Sequence, residues 1–333
     1  MVEALGFAAP EASASWLTAD DGEALELIEA IDVLVVCRAL YAQHIAAIIA
    51  RAKALGKRVL FDVDDLMFDD RYTHLILETL DQEVDEAGLQ AWFGWIARCG
   101  ATLRLCDGVI TTNEFLAERI RRFAEVPTWV VPNFLNGAQL ELSARVRRAK
   151  AAAGAARADR VILGYFSGTA THNRDFAIVE PAIARLLDED PRIRLRVVGY
   201  PSHGDRLAAY ADRIEVLPLR DFLNLQLAIG EVDVNLVPLQ DNVFTNCKSD
   251  LKYFEAAVVG TVTVASPTHA LRASIDHGVN GFIARAHEWH AVLLEAIDGL
   301  AELPDIAESA AADALRRYSP AAQAAALRAA LLD

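Results

Sequence analysis

The sequence lacks the features that mark secreted and membrane-spanning proteins. Only four cysteines occur in 333 residues, without the paired spacing of a metal site or the density of a disulfide scaffold, which is typical of a reducing compartment. No apolar run reaches the roughly eighteen residues that a membrane span requires, and the first residues contain no basic segment of a signal peptide. These absences predict a cytoplasmic location.

Positive charge is also scarce. The formal net charge is -15, which argues against long-range attraction to nucleic acid, because phosphate binding needs a positive field. Hydrophobic residues make up 53% of the chain and charged residues 24%, as in folded globular proteins. The length suffices for about two domains.

Short apolar segments alternate with longer amphipathic segments along most of the chain, which is the pattern of parallel sheets covered by helices. In the first half, strands are predicted at 33–37, 58–61, 108–111 and 128–131. In the second half, they are predicted at 160–165, 193–198, 214–217, 233–237, 262–265 and 281–284. Between them, the residues from about 141 to 157 are rich in Ala, Arg and Lys and read as a partly helical linker. The pattern predicts two α/β domains.

A segment of small and hydroxyl residues follows the first strand of the second half. Open α/β sheets bind ligands at the carboxyl ends of their strands, and small residues there let backbone N–H groups approach a phosphate. Here the segment is Ser167-Gly168-Thr169, with His172 and Arg174 as the nearby cations. It is a candidate phosphate site, although a simple turn with hydroxyl caps explains the same residues.

A second candidate lies at the start of a predicted helix. If Ser249 caps this helix, Lys248 lies at its positive end and Lys252 one turn further in. Glu255 then shares a face with Lys252, since residues three apart are neighbours on a helix. A lysine at this place can hold a diphosphate, and a carboxylate can accept the hydroxyls of a ribose. An ordinary solvated Lys/Glu face is the alternative.

The order of several motifs resembles a known family. In the second half the motifs are Val232–Leu239, Lys248-Ser249 with Glu255-Ala256-Ala257, Gly260–Ser266 and Asn280-Gly281-Phe282; in the first half they are Asp107–Thr112 and Val131-Pro132-Asn133. This set resembles the retaining GT-B glycosyltransferases of group 1 (family 4 type) that act in bacterial polysaccharide and lipopolysaccharide assembly. The resemblance implies an α/β fold in which two Rossmann-like domains face each other across a cleft.

The resemblance also implies domain boundaries and residue roles. The N-terminal acceptor-side domain would span 1–140, the linker 141–157, the donor-binding domain 158–318, and a helix at 319–333 would pack back toward the N-terminal domain. Glu255 would bind the donor ribose. The diphosphate would face Lys248, Arg174 and the backbone of Ser167-Gly168-Thr169. The loop that ends at Arg220 would lie beside the base.

Three departures from the family pattern stand out. Cys247 occupies the place where many members have an acid, eight residues before Glu255, and Val262 replaces a common proline. No glycine-rich loop precedes Val33, so the N-terminal domain is predicted to be reduced.

The acidic segment Asp62-Val63-Asp64-Asp65 allows several interpretations. It resembles the first motif of haloacid-dehalogenase-type phosphatases, although Leu66 stands where that family has Thr or Val. It also resembles the Asp-x-Asp metal site of GT-A transferases, and clustered carboxylates suit Mg²⁺ or Mn²⁺. In a GT-B enzyme, Asp64 would instead line the sugar site in the cleft. A structural role remains open, in which Asp62 or Asp65 caps the following turn.

Together these features predict a metal-independent, retaining glycosyltransferase for surface polysaccharides. The donor would be a UDP-, GDP- or dTDP-sugar, with no other cofactor, and the acceptor a glycan or lipid-linked sugar. The basic amphipathic segment at 114–123 could contact the inner face of the membrane, but its apolar side equally suits core packing. A Mg²⁺-dependent phosphatase using Asp62 and Asp64, and a non-catalytic nucleotide-sugar-binding subunit, are the alternatives.

Overall fold

A computed structural model describes residues 1–18, 21–80, 83–153, 159–168, 173–199 and 205–333. The first half contains a parallel sheet with the strand order β1-β2-β3-β4. Its strands are β1 (Val33–Cys37), β2 (Arg58–Asp62), β3 (Gly108–Thr111) and β4 (Thr128–Val130). These bounds agree with the predicted strands to within one residue.

Helices cover both faces of this sheet. They are α1 (Val2–Ala8), α2 (Ala24–Leu27), α3 (Gln43–Ala54), α4 (Thr73–Leu77), α5 (Glu86–Leu103) and α6 (Glu114–Ala124), with 3₁₀ turns at Ile28–Ala30 and Asp70–Tyr72. Right-handed crossovers between strands in sequential order place the connecting helices on one face of the sheet. Val59 and Phe61 point to that face and pack against Ile49 of α3, Ile96 of α5 and Ile120 of α6 in one apolar cluster.

The opposite face of the N-terminal sheet is covered by the two ends of the chain. Leu60 points to this face, since neighbouring strand residues alternate sides. It packs with Leu5 of α1 and with Leu327 and Leu331 of the last helix, α15 (Ala324–Leu331). The Arg58 guanidinium donates to the carbonyl oxygen of Ala330 at 2.7 Å. The residues nearest the C-terminus thus pack on the N-terminal domain.

The second half contains a parallel sheet with the order β10-β9-β8-β5-β6-β7. Its strands are β5 (Val161–Ser167), β6 (Ile193–Gly199), β7 (Ile214–Leu217), β8 (Val234–Val237), β9 (Val262–Ala265) and β10 (Phe282–Ile283). Strands β6 and β7 follow on one side of β5, and strands β8 to β10 follow on the other side. The strand order therefore reverses between β5 and β8, as in a doubly wound Rossmann-like sheet. A crevice at the carboxyl ends of these two strands follows from that reversal.

Helices pack on both faces of the second sheet as well. They are α8 (Asn173–Glu189), α9 (Phe222–Gly230), α10 (Val243–Asn246), α11 (Leu251–Val258), α12 (His269–Ser274), α13 (Trp289–Asp298) and α14 (Leu303–Tyr318), with 3₁₀ turns at Asp205–Arg213 and Ala321–Gln323. Tyr165 of β5 faces α8 and α13, where it packs with Phe176 and Trp289. Phe166, the next residue, faces α9 and α11.

An aspartate just before a strand stabilises each sheet in the same way. Asp107 precedes β3, and its carboxylate accepts a hydrogen bond from the backbone N–H of Val59 on β2 at 2.9 Å. Asp233 precedes β8 and accepts from the N–H of Ile162 on β5 at 2.7 Å. Each carboxylate satisfies a backbone donor at the start of a neighbouring strand, so the acid at these places supports the parallel register.

The segment read as a linker contains one helix, α7 (Gly137–Ala153). Ser143 donates to the side chain of Gln226 at 2.9 Å, and the Lys150 ammonium donates to the carbonyl oxygen of Val232 at 2.6 Å. Val146 packs beside Gly230, where a Cβ atom would lie 2.2 Å from the valine side chain. Helix α7 therefore packs against the second domain through polar and apolar contacts.

A short segment of the second domain inserts into the first. Phe244 and Cys247, in and just after α10, are buried in the same cluster as Phe68 of the N-terminal domain. The Asn113 side chain caps α6 and also donates to the carbonyl oxygen of Cys247 at 2.8 Å. This insertion places the residues that follow Cys247 directly against the N-terminal domain.

Candidate functional site

A pocket of about 150 Å³ lies between the domains, at the carboxyl ends of their strands. The N-terminal domain contributes Asp64, Asp65 and Asn133, and the second domain contributes polar and apolar side chains. Those of the second domain are Val237, Leu239, Lys248, Ser249, Leu251, Lys252 and Leu271. The structure therefore brings the predicted residues Asp64, Lys248, Ser249 and Lys252 together around one cavity.

Lys248 bridges the two domains. Its ammonium lies 3.4 Å from Asp65 Oδ2 and 4.5 Å from the centre of the Phe244 ring. The other carboxylate oxygen of Asp65 accepts from the backbone N–H of Leu66 at 2.8 Å. Asp65 is therefore held by its neighbouring backbone N–H and is also the counter-ion of a predicted donor-binding lysine. Both side chains are about four-fifths buried, at 18% and 20% relative exposure.

Lys252 is the second residue of α11 and lines the same pocket. Its ammonium is 5.4 Å from the centre of the Tyr165 ring. Burial lowers the pKa of this lysine to about 8, while the nearby carboxylates of Asp175 and Glu255 oppose the shift. A partly desolvated cation of this kind is suited to receive an anionic ligand, because little water has to be displaced from it.

Glu255 follows one turn after Lys252 and is 8% exposed. Burial raises the pKa of its carboxyl to about 7, against the opposing effects of Lys252 and of the Gln139 side chain, whose Nε2 is 3.5 Å from Glu255 Oε1. Glu255 is beside the pocket rather than among the residues that line the cavity. The predicted pairing of Lys252 with Glu255 on one helix is consistent with their mutual electrostatic influence.

The predicted phosphate loop is described only in part. Ser167 ends β5 and is buried, and Gly168 after it is exposed. Thr169 and His172 lie outside the described residues. Gly199 ends β6 opposite Ser167 with a φ of +106°, and a Cβ atom there would lie 1.8 Å from the Ser167 carbonyl oxygen. Only glycine fits this close approach of two strand ends.

Two of the predicted cations are exposed. Arg174 is exposed in the first turn of α8, and Arg220 is exposed in the connection between β7 and α9. Neither lines the cavity between the domains. Their roles toward the diphosphate and the base remain predictions.

The Ser249 side chain has a different partner from the one considered. Asp250 is the residue at the N-cap of α11, and it makes no side-chain capping bond. Ser249 Oγ instead accepts a hydrogen bond from Asn133 Nδ2 of the N-terminal domain at 3.1 Å. The capping assumption was wrong because the competing donor comes from a loop 116 positions away in the sequence.

Asp64 faces the cleft from the end of β2 and pairs with Arg38 at 2.9 Å. Arg38 has a φ of +48°, an uncommon conformation for a residue with a Cβ atom, and its backbone N–H donates to the Asp62 carbonyl oxygen at 3.0 Å. The pKa of Asp62 is raised to about 6, chiefly by burial and then by the charge of Asp64. Among the described residues, no three His, Cys, Asp or Glu side chains converge as a metal site.

Asp175 and Asn133 were missed as site residues from the sequence. Asp175 is fully buried in the first turn of α8, where its carboxylate accepts from the backbone N–H of Gln240 at 3.0 Å. It thereby joins the segment after β5 to the segment after β8, across the reversal of the strand order. The sequence signal that could have identified Asp175 is an acidic residue in the first turn of a helix that follows a loop typical of phosphate binding. Asn133 was quoted only as part of a motif.

The segment 114–123 forms most of α6, whose cations are largely occupied within the helix. Arg121 pairs with Glu114 at 3.3 Å, and Arg122 pairs with Glu118. The Arg119 guanidinium lies 4.5 Å from the centre of the Phe115 ring. No helix in the described part of the chain is long and apolar enough to cross a membrane.

Two parallel α/β domains that meet at the carboxyl ends of their strands, with polar side chains from both around one cavity, define the GT-B class. Residues 160–302 match the protein family described as glycosyl transferases group 1. The prediction of a GT-B glycosyltransferase is therefore confirmed: the fold is GT-B, and the second domain has the sequence pattern of this enzyme family. No curated protein gives a significant sequence match.

Solved structures of low sequence identity share the fold. HepE of Anabaena, in complex with UDP, is 15% identical, with a TM-score of 0.61 over 92% of this chain and 81% of that one. Sucrose-phosphate synthase of Thermosynechococcus elongatus is 18% identical, with a TM-score of 0.58 over 89% and 72% of the two chains. The UDP-forming α,α-trehalose-phosphate synthase of Burkholderia xenovorans is 12% identical, with a TM-score of 0.60 over 92% and 76%.

Proposed function

We propose that the protein transfers a sugar from a UDP-sugar to a hydroxyl of a glycan or glycolipid. The observation that carries the proposal is the arrangement on and before α11: Lys248 and Lys252 line the cavity between the domains, and Glu255 lies beside it. UDP is favoured over GDP and dTDP because HepE was crystallised with UDP. The complex with UDP was found for that protein, and the preference for UDP is proposed here for this chain.

The residues suggest a division of labour in the reaction. A departing nucleoside diphosphate develops negative charge, and the ammonium groups of Lys248 and Lys252 would stabilise that charge. Glu255 would accept the ribose hydroxyls. Asp64 would line the sugar site from the opposite domain. Transfer with retained configuration and without a metal ion is part of the proposal, as the family resemblance suggests.

The biological setting is proposed on the same basis. The acceptor would be a growing surface polysaccharide or lipopolysaccharide, and the enzyme would act in the cytoplasm. A lipid-linked acceptor would require access to the inner face of the membrane, for which α6 is the candidate contact. Since its arginines pair largely within the helix, such contact would depend on anionic lipids competing with Glu114 and Glu118.

Nucleotide titration tests the donor assignment. We expect UDP and UDP-glucose to bind more tightly than the GDP and dTDP compounds in calorimetry. Glu255→Ala should weaken UDP binding about 100-fold, since charge-assisted hydrogen bonds contribute roughly 1.5–3 kcal/mol each. Glu141→Ala is the matched control, because Glu141 is an exposed glutamate on the adjacent α7. Equal UDP affinity of Glu255→Ala and the unaltered protein would show that Glu255 does not hold the nucleotide.

Activity assays separate the proposal from its alternatives. UDP release that depends on an acceptor and persists in excess EDTA agrees with a metal-independent transferase, and NMR of the new glycosidic bond reports its configuration. Phosphate release that needs Mg²⁺ and disappears in Asp62→Asn would identify a phosphatase instead. Nucleotide binding without turnover would identify a non-catalytic subunit.

A further inference from the structure

The N-terminal side of the cleft has a marked excess of carboxylates. We call this surface the acceptor wall; it comprises Cys37, Arg38, Asp62, Asp64 and Asp65, at and just beyond the ends of the adjacent strands β1 and β2. Since the donor residues belong to the second domain, an acceptor must approach the transferred sugar from this opposite side. The charge of the wall therefore bears on which acceptors can bind.

The arginine of the wall is already paired. Arg38 Nη1 lies 2.9 Å from Asp64 Oδ1, and both side chains are a little over two-fifths exposed. The backbone of Arg38 is held by the hydrogen bond from its N–H to the Asp62 carbonyl oxygen at 3.0 Å. A phosphate on the acceptor would have to displace Asp64 from this guanidinium and would then face the released carboxylate.

The lysine that reaches the wall is also paired before the donor binds. Lys248 contacts Asp65 at 3.4 Å, while Asp65 is fixed by its bond from the Leu66 N–H. If Lys248 turns to the diphosphate of the donor, Asp65 stays behind as an uncompensated carboxylate. Donor binding therefore makes the wall more negative and adds a diphosphate on the other side of the cleft.

Two neighbouring groups respond to this negative field. Besides burial, the charge of Asp64 raises the pKa of Asp62 to about 6. Burial, followed by Asp62 and Asp64, raises the pKa of the Cys37 thiol to about 11. The Cys37 thiol, the α-amino group of Met1 and Arg38 lower the pKa of Asp62, and Arg38 lowers that of Cys37, but these effects do not cancel the two shifts.

We propose that the acceptor wall rejects anionic groups, so that the sugar receiving the transfer is uncharged rather than a sugar phosphate or a uronic acid. The inference rests on the proposed transferase function. Recognition of a phosphate requires cations placed to bind it, and an unpaired carboxylate within a few ångströms repels it. Neutral sugar hydroxyls, in contrast, find hydrogen-bond acceptors along this wall.

Cys37 allows the field to be measured without knowing the acceptor. Cys37 is exposed, whereas Cys99, Cys106 and Cys247 are buried. The probes are trimethylammonioethyl and sulfonatoethyl methanethiosulfonate, which carry opposite charges, with rates normalised to those of a free thiol. At low salt we expect the cationic reagent to react about tenfold faster than the anionic one. Cys37→Ser identifies the labelled site.

Charge variants show where the selectivity comes from. Asp64→Asn should reduce the normalised rate ratio about threefold, and 0.5 M salt should reduce it further by screening. Asp70→Asn, which removes an exposed carboxylate from the nearby Asp70–Tyr72 turn, should leave the ratio unchanged. A normalised ratio of one, or faster reaction of the anionic reagent, overturns the proposal.

An acceptor comparison completes the test. UDP release from UDP-glucose is measured with methyl α-glucoside and with its 6-phosphate, and with other matched neutral and phosphorylated sugars. We expect the neutral member of each productive pair to have at least a tenfold higher kcat/KM. Preference for the phosphorylated member, lost in Arg38→Ala, would identify Arg38 as a phosphate clamp and overturn the proposal. Failure to bind UDP or UDP-glucose would contradict the proposed function, while the labelling ratio would still report on the wall.

Discussion

Lys252 and Glu255 lie on successive turns of α11, and burial shifts their pKa values toward each other. The pKa of the glutamate rises to about 7 and that of the lysine falls to about 8. Both residues therefore carry their charges mainly between these two values. Below this window Glu255 takes up a proton, and above it Lys252 loses one.

This narrow window predicts a bell-shaped pH dependence of donor binding. We expect the affinity for UDP-glucose to be highest between about pH 7 and 8. It should fall at lower pH because a protonated Glu255 accepts ribose hydroxyls poorly, and at higher pH because neutral Lys252 no longer attracts the diphosphate. Calorimetric titrations from pH 5.5 to 9 measure the profile.

Two conservative variants assign the limbs of this profile. Glu255→Gln should remove the acid limb, and Lys252→Gln should remove the alkaline limb, each with weaker binding at the optimum. An affinity of the unaltered protein that stays constant across the range would contradict the assignment of both residues to the donor site. The profile belongs to the coupled pair, so its midpoints are apparent values.

The Asp65–Lys248 pair predicts a gain of affinity on mutation. Asp65 competes with the donor diphosphate for the Lys248 ammonium. Asp65→Asn should therefore tighten UDP binding about three- to tenfold at low salt, because a partly buried ion pair contributes on the order of 1 kcal/mol. The asparagine can still accept the Leu66 N–H. Asp70→Asn is the control. Weaker UDP binding in Asp65→Asn would mean that the carboxylate positions Lys248 for the donor instead of withholding it.

At the scale of elements, the sequential strand order of the N-terminal sheet has a structural consequence. Its crossover helices lie on one face, so the other face needs cover from outside the β–α–β units. Residues from both ends of the chain, α1 and α15, supply that cover over Leu60, Ile110 and Val131. The last helix is thus part of the N-terminal core, although the segment before it belongs to the second domain.

Substitutions in α15 test this role. Leu327 is fully buried, and Leu327→Ala should lower the free energy of unfolding by about 2–5 kcal/mol through the cavity that it leaves. Leu332, just after the helix, is 42% exposed, and Leu332→Ala should change it by no more than about 0.5 kcal/mol. Urea unfolding followed by Trp fluorescence measures both. Equal effects of the two substitutions would show that α15 does not pack as described.

For the molecule as a whole, the insertion of α10 couples the domains. Phe244 is 3% exposed, and it belongs to the cluster that forms the N-terminal core although it lies between β8 and α11 of the second domain. The hydrogen bonds from Asn113 to Cys247 and from Asn133 to Ser249 hold the residues that follow α10. Lys248 follows directly, so its position depends on the packing between the domains.

This coupling predicts one shared unfolding transition. Calorimetry should show the two domains melting together, and Phe244→Ala should lower the melting temperature and separate two transitions, because truncating a buried Phe costs about 3–5 kcal/mol. Phe222→Ala removes an aromatic ring that is 51% exposed and should leave a single transition. Two resolved transitions in the unaltered protein would contradict the coupling.

Much of the fold could be predicted because it depends on local pattern. The apolar periodicity located the described strands closely. The alternation between buried strands and amphipathic helices depends on residues that are close in the sequence, so it can be read locally. The same locality explains why the sequence places Lys252 and Glu255 on one helix, α11. The same reason explains why the region of α7 was predicted to be a linker: its composition alone does not show which surface the helix packs against.

The sequence by itself therefore determined the two α/β halves, the GT-B class and most of the candidate donor residues, because short-range periodicity and motif order carry that information. Only the tertiary structure decided what these residues contact. Asp65 and Lys248 are 183 positions apart, Asn133 and Ser249 are 116 apart, and Asp175 reaches Gln240 across the reversal of the sheet. Such partners meet only when the domains pack, so no local pattern encodes them.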